Sequence, residues 1–153
     1  MVCWRLLDVI LMVEITFDLD TSNIGKLPGK WEKARKQGLR YNAEDMTRFL
    51  IDETSGKSIN VQQGLLHSWT ITSVTDEQAT INSPAVYAAA QNYGSSHMIY
   101  PKEKKALHWG GKPGYFSKGH MVNIKPKRFV EKSFERLQPL ILGNFMKALE
   151  EQE

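Results

Sequence analysis

Few residues in this chain have the types and spacing that chemistry needs. Gly110-Gly111-Lys112-Pro113-Gly114 is glycine-rich and holds a lysine, the raw material of a phosphate-binding loop. Such a loop needs a Gly-Lys-Ser/Thr step that opens a helix, so that backbone N–H groups face the phosphate. Here Pro113 follows Lys112 and aromatic residues come next, so the stretch reads as a surface hairpin loop. His67, His97, His108 and His120 are scattered without metal-ligand spacing, and each reads as a strand-surface residue. Asp18 and Asp20 share one face of an alternating segment, but two carboxylates without further oxygen ligands make a weak cation site. Ser68 lacks the flanking glycines of a nucleophile elbow. Cys3 is the single cysteine, so no intrachain disulfide can form, and neither a zinc site nor an oxidising compartment is supported. No reaction assembles from these residues. The expectation is a non-enzyme made in a cytoplasm, with no cofactor and no metal.

The cations are better organised. Lys102, Lys104 and Lys105 flank a strand joint, Lys112 and Lys118 fall in the glycine-rich loop, and Lys125, Lys127 and Arg128 precede the last helix. Together they would put a positive rim on one edge of a sheet, fit to line a DNA passage or to meet an acidic protein face. Basic edge strands also guard against edge-to-edge aggregation. The formal net charge of the whole chain is only +3, short of the clustered charge of a dedicated DNA binder.

The elements that would position these residues follow from periodicity. Val13, Ile15, Phe17 and Leu19 alternate with polar residues, the mark of a half-buried strand. Pro28 can open a helix, and Trp31, Leu39, Ala43, Met46, Phe49 and Leu50 form an apolar stripe to about Glu53, with Gly38 as a weak point. Lys33, Arg35, Lys36 and Arg40 fall mostly off that stripe, on a solvated face or one turned to nucleic acid. A hairpin follows around the polar turn Asp76-Glu77. A short helix then starts at Pro84 and closes at Gly94. "HMIYPK", "KALHWGG" and "HMVNIKP" read as short strands, and Phe129 to Leu149 as a helix kinked or broken at Pro139. This order gives an α+β fold: a mainly antiparallel sheet packed by a long N-terminal helix, a short central helix and a C-terminal helix. Residues 13–153 form one domain, and 1–12 are either an arm or a lengthening of the first strand. The apolar run in 1–12 is too short to span a bilayer and lacks a signal-peptide cleavage site, so no membrane anchor is expected.

Read in succession, "GLLHSWTI", "VYAAAQNYG", "IYPKEKKALHWGG" and "MVNIKPKRFV" resemble the tail-completion and head–tail joining family of tailed bacteriophages, a group of virion-morphogenesis and minor tail proteins. Gly64, Leu65 and Ser68, next to Trp69, match the family's segment before a strand, with Gln63 where Thr is usual. Tyr87, Ala88, Tyr93 and Gly94 match its Tyr-Ala helix ending in an aromatic residue and glycine. Ile99, Pro101, Lys102, Ala106 and Leu107 match a strand pair. Ile124, Pro126, Arg128 and Phe129 fit the segment opening the last helix, where Lys125 and Lys127 depart from the pattern.

The resemblance implies a structural virion protein of the neck, a six-fold or twelve-fold homo-oligomeric ring that joins the DNA-filled head to the tail. Its implied partners are head-connector proteins (adaptor or stopper), tail-terminator proteins and DNA in passing contact, with no membrane. Two alternatives stand beside it: a tail-terminator ring capping the tail tube, and a small basic nucleic-acid-binding protein. Trp4 and Leu7 are expected to pack on a neighbouring subunit or another neck protein, because so apolar a segment marks an interface. Trp69, Tyr87, Tyr93 and Phe134 are expected in the core.

Overall fold

The alternation at the start of the domain builds strand β2 (Val13–Leu19), whose Val13, Ile15 and Phe17 are all buried. The structure, a computed structural model, describes residues 2–6, 13–19, 29–55, 64, 65, 67–100, 107, 108, 116, 117 and 119–152. β2 pairs antiparallel with β4 (Gln78–Ser83), and β4 with β3 (Thr70–Val74). Across the β2–β4 seam Ile15 faces Ile81 and Phe17 faces Ala79, so one sheet face is continuously apolar. The register of β3 shifts by one residue between Ile71 and Ser73. That irregularity lets both Ile71 and Val74 pack against the core, although strict alternation would put them on opposite faces.

Residues 2–6 form β1 (Val2–Leu6), antiparallel to β2, and complete a four-stranded sheet of order β1-β2-β4-β3. The N-terminal segment therefore folds back as an edge strand of its own chain's sheet. Residues 2–6 are thus not a free arm, and the lengthening expected over Leu6 to Met12 lies, but for Leu6, outside the described residues. Leu7 lies outside the described residues.

Helix α1 (Gly29–Thr54) packs on β3 and β4, and also on the C-terminal helices α3 (Phe129–Leu137) and α4 (Ile141–Glu150). It serves both neighbours because two rows at i+4 spacing are buried. Ala34, Asn42, Met46, Leu50 and Thr54 form one, and Leu39 with Ala43 the other. Burying Met46, Phe49 or Leu50 contributes about 1.5–3 kcal/mol each. Trp31, in the first turn, sits at the margin of this stripe and is exposed. A 3₁₀ turn, Gln138–Leu140, separates α3 from α4. Pro139 causes it, since proline has no N–H to continue the helical ladder.

Gly38, which composition alone makes a weak point of α1, is where the Phe145 ring of α4 rests on α1. A Cβ at Gly38 would overlap the Phe145 ring, which packs against the core there. Polar clasps flank this contact. Asn144 Nδ2 donates to Asn42 Oδ1 and to Asp45 Oδ2, each at 2.9 Å. Near the C-terminal end of α1, Arg136 pairs with Asp52 and Glu53 and lies 4.4 Å above the Phe49 ring.

Helix α2 (Ala88–Tyr93) is followed by two separate two-stranded ribbons. β5 (Ser95–Ile99) pairs with β8 (His120–Ile124), and β6 (Leu107–His108) with β7 (Phe116–Ser117). β7 thus occupies part of the stretch expected as loop. Residues 110–115 and 118 of that stretch lie outside the described residues, as do Pro101, Lys102, Lys104 and Lys105.

Gly38→Ala tests the α1–α4 contact. In an exposed helix this change gains about 1 kcal/mol. Here overpacking against Phe145 should dominate and lower stability by about 1–3 kcal/mol. Chemical denaturation measures it, and a stabilised variant would refute the close approach.

Candidate functional site

Of the residues that carry the family resemblance, Gly64, Leu65, Ser68, Trp69, Tyr87, Ala88, Gly94 and Phe129 lie at the junction between β3, α2 and α3, whereas Pro101, Lys102 and Ala106 lie outside the described residues. Leu65 and Ser68 lie in the turn before β3. The Ser68 hydroxyl donates to Leu65 O at 2.8 Å and lies 2.6 Å from Ser83 Oγ. A serine has one hydroxyl proton, so Ser83 must be the donor in that second bond. Ala85 N–H donates to Ser83 Oγ in turn, at 3.4 Å. The result is a one-way chain from Ala85 through two hydroxyls to Leu65 O, and it ties the turn to the end of β4. Ser83 is fully buried, so this chain gives its hydroxyl the partners that burial demands.

Next along the chain, Trp69 is buried and meets Phe129 edge-to-face, with ring centroids 5.8 Å apart. Such a pair adds about 0.5–1.5 kcal/mol beyond its buried area. A Cβ at Gly64 would lie 2.7 Å from the Tyr87 hydroxyl, so no side chain fits there without moving that ring. Ala88 is fully buried and Tyr87 packs against the core.

Tyr93 departs from expectation, with 40% of its surface exposed. In a helix, position 93 lies about 140° round from Ala88, whereas position 92 returns to the inward face. The inward residue is therefore Asn92, which is fully buried.

Asn92 organises the junction. Its Oδ1 accepts the Val130 N–H at 3.0 Å, and its Nδ2 donates to Glu131 Oε2 at 3.1 Å. Lys127 N–H donates to Gln91 O and Arg128 N–H to Asn92 O, at 2.9 and 3.1 Å. The C-terminal carbonyls of α2 are thus taken up by the N–H groups of the two residues just before α3, and an α3 N–H by the Asn92 side chain. Arg128 flanks α3 at φ 54° and makes no side-chain cap, so the capping oxygen comes from 38 residues upstream. Gly94 permits this approach. It has φ +80°, and a Cβ there would stand 2.8 Å from Ile124 O.

The sequence-predicted contact cations separate into two groups. Lys125 and Arg128 are exposed and Lys127 half-buried, all on the link between β8 and α3. They lie beside the ribbon and not along an edge of the main sheet. Lys102, Lys104, Lys105, Lys112 and Lys118 lie outside the described residues, and of Trp4 only the backbone, in β1, is described. On α1, Arg35 pairs with Asp76 and Arg40 with Glu44, so part of the basic helix face is used within the chain. Among the described residues no group of three His, Cys, Asp or Glu side chains could hold a metal ion, and no helix is long and apolar enough to cross a membrane.

In comparisons with known proteins, no protein-family model, curated protein or solved structure matches the chain. The junction is a packing and hydrogen-bonding centre that joins the sheet, the short helix and the C-terminal helices. Sequence reading missed Asn92 and Ser83 because each acts on a partner far away or on the next element. Asn two residues before a helix-closing glycine looks locally like part of a helix end.

Asn92→Ala would leave the buried Val130 N–H and the Glu131 carboxylate without the amide. The expected cost is about 2–4 kcal/mol, from a lost cap plus a buried unsatisfied donor. Thermal unfolding reads the loss, and amide exchange at Val130 should rise with it. Unchanged exchange there would refute capping across the chain.

Proposed function

We propose that this chain is a structural subunit of the neck of a tailed bacteriophage, one copy of a ring that joins the DNA-filled head to the tail. The observation that carries the reading is the β5–β8 ribbon. It is a separate two-stranded sheet, and Met98, Ile99, Tyr100 and Met121 are all exposed on it. A two-stranded ribbon is marginal in water by itself, and large apolar residues left on one mark a surface that another molecule covers. The junction supports the same reading, because the motif residues that resemble the neck family serve to hold the base of this ribbon. Gly94 and Ser95 leave the capped end of α2 directly into β5, and β8 returns through Ile124 to the start of α3. A rigid body with a projecting ribbon suits a ring, whose contacts repeat from each subunit to the next.

Removing residues 110–119 tests the role. The β1-β2-β4-β3 sheet and its helices should keep their stability, because among the described residues their strand pairings and main packing contacts are with one another. Particles carrying the deletion should accumulate as separate heads and tails. Normal yields of joined particles would rule the neck role out.

A further inference from the structure

We infer that the β5–β8 ribbon of one copy docks into an apolar, acid-rimmed groove on the body of a second copy. The inference rests on the reading of the chain as an assembling subunit, and it names the two surfaces that meet.

Met98 stands directly opposite Met121 in the ribbon register, so the two share a face. Tyr100, two residues on from Met98, joins them: a Cβ at Gly119 would lie 3.1 Å from Met98 Cε and 3.0 Å from Tyr100 Cε1. One ribbon face is therefore built from two methionines and a tyrosine, and each is at least 41% exposed.

The matching surface lies between β2, α1 and α3. Met46, Val130, Phe134 and Tyr93 line a groove of about 310 Å³ there, with Glu131 and Glu135 at its rim. The chain's own ribbon does not fill it, since its apolar face is exposed in the single copy.

Charge favours the same pairing. From Ser95 to Arg128 the sequence has eight Lys or Arg and one Glu, a net charge of +7, while the rest has twelve against sixteen, a net charge of −4. The 95–128 stretch that contains the ribbon is basic in sequence and the remainder acidic, so copies attract one another, which speeds encounter and favours this pairing. A nucleic acid would answer the positive charge alone, and its phosphates would leave the Met98–Tyr100–Met121 face in water. A second copy answers charge and apolar surface together. The contact is heterologous: each copy offers one ribbon and one groove, so repetition closes a ring or extends a filament.

The test uses the full chain and two double variants. Met98→Glu with Met121→Glu disables the ribbon, and Tyr93→Ala with Glu135→Lys disables the groove. Thermal unfolding checks that each is folded; if a pair is not, Met121→Glu alone or Glu135→Lys alone replaces it. Sedimentation velocity should show the unsubstituted chain assembling and each variant self-associating at least about tenfold more weakly, as expected for loss of a central contact. Mixed in equal amounts, the two variants should form a species of two chains and nothing larger, because one intact ribbon then meets one intact groove. A mixture of folded variants that stays monomeric overturns the docking. A variant that assembles like the unsubstituted chain also overturns it, but leaves the ring reading standing, since head–tail joining tests that separately. An unsubstituted chain that stays monomeric at its highest soluble concentration, yet binds duplex DNA with a steep salt dependence, overturns it and assigns the ribbon to nucleic acid.

Discussion

The side-chain amide of Asn92 is the constraint on which the C-terminal half of the molecule depends. Helix α3 has no capping side chain of its own, and Arg128 before it is held at a positive φ. A non-glycine residue there costs roughly 1 kcal/mol or more, so the surroundings must impose it. They do so through the backbone bonds from Lys127 and Arg128 to Gln91 and Asn92, together with the amide itself. Once α3 is started at this point, Phe129 reaches Trp69, and Arg136 reaches the end of α1. The same bonds fix where the ribbon leaves the body, because both of its ends pass through the junction.

Helix α1 carries the other half of the architecture. It is buried by the sheet on one side and by α3 and α4 on another, and apolar packing supplies most of the stabilisation. The Arg40–Glu44 pair is exposed, and the exposed Arg48 reaches a half-buried Asp45, so each contributes little. The Asn42–Asn144–Asp45 clasp matters more for position. A half-buried amide that finds two oxygens sets the register of α4 along α1. Gly38 then lets Phe145 rest on the helix backbone, which brings α4 close enough for the clasp to form.

The polar groups described at the junction serve the packing of the body on the ribbon. The serines at the junction are engaged with each other and with the backbone, and the buried amide with a helix start. Both serine protons and the Asn92 amide are thereby engaged in holding the junction together. In the proposed ring the chain works through shape, exposed apolar surface and charge separation, properties that belong to a surface and not to a constellation of reactive groups.

The sequence by itself determined the elements and their class. Period-two alternation marked β2, an apolar stripe at helical spacing marked α1, the polar turn at Asp76-Glu77 marked the β3–β4 hairpin, and Pro139 marked the break between the C-terminal helices. These are local signals, because backbone sterics and side-chain periodicity act over a few residues. The motif residues Gly64, Ser68, Ala88 and Gly94 were also legible, but as types without partners. Tertiary structure decided the rest. It turned residues 2–6 back onto the sheet, sent Tyr93 outward and Asn92 inward, shifted the register of β3, and made Gly38 a contact where composition suggested a weakness. Each of these outcomes depends on a partner many residues away. A cap supplied from another helix, a ring resting on a glycine and a chain of hydroxyls between a turn and a strand end leave no period in the sequence to read.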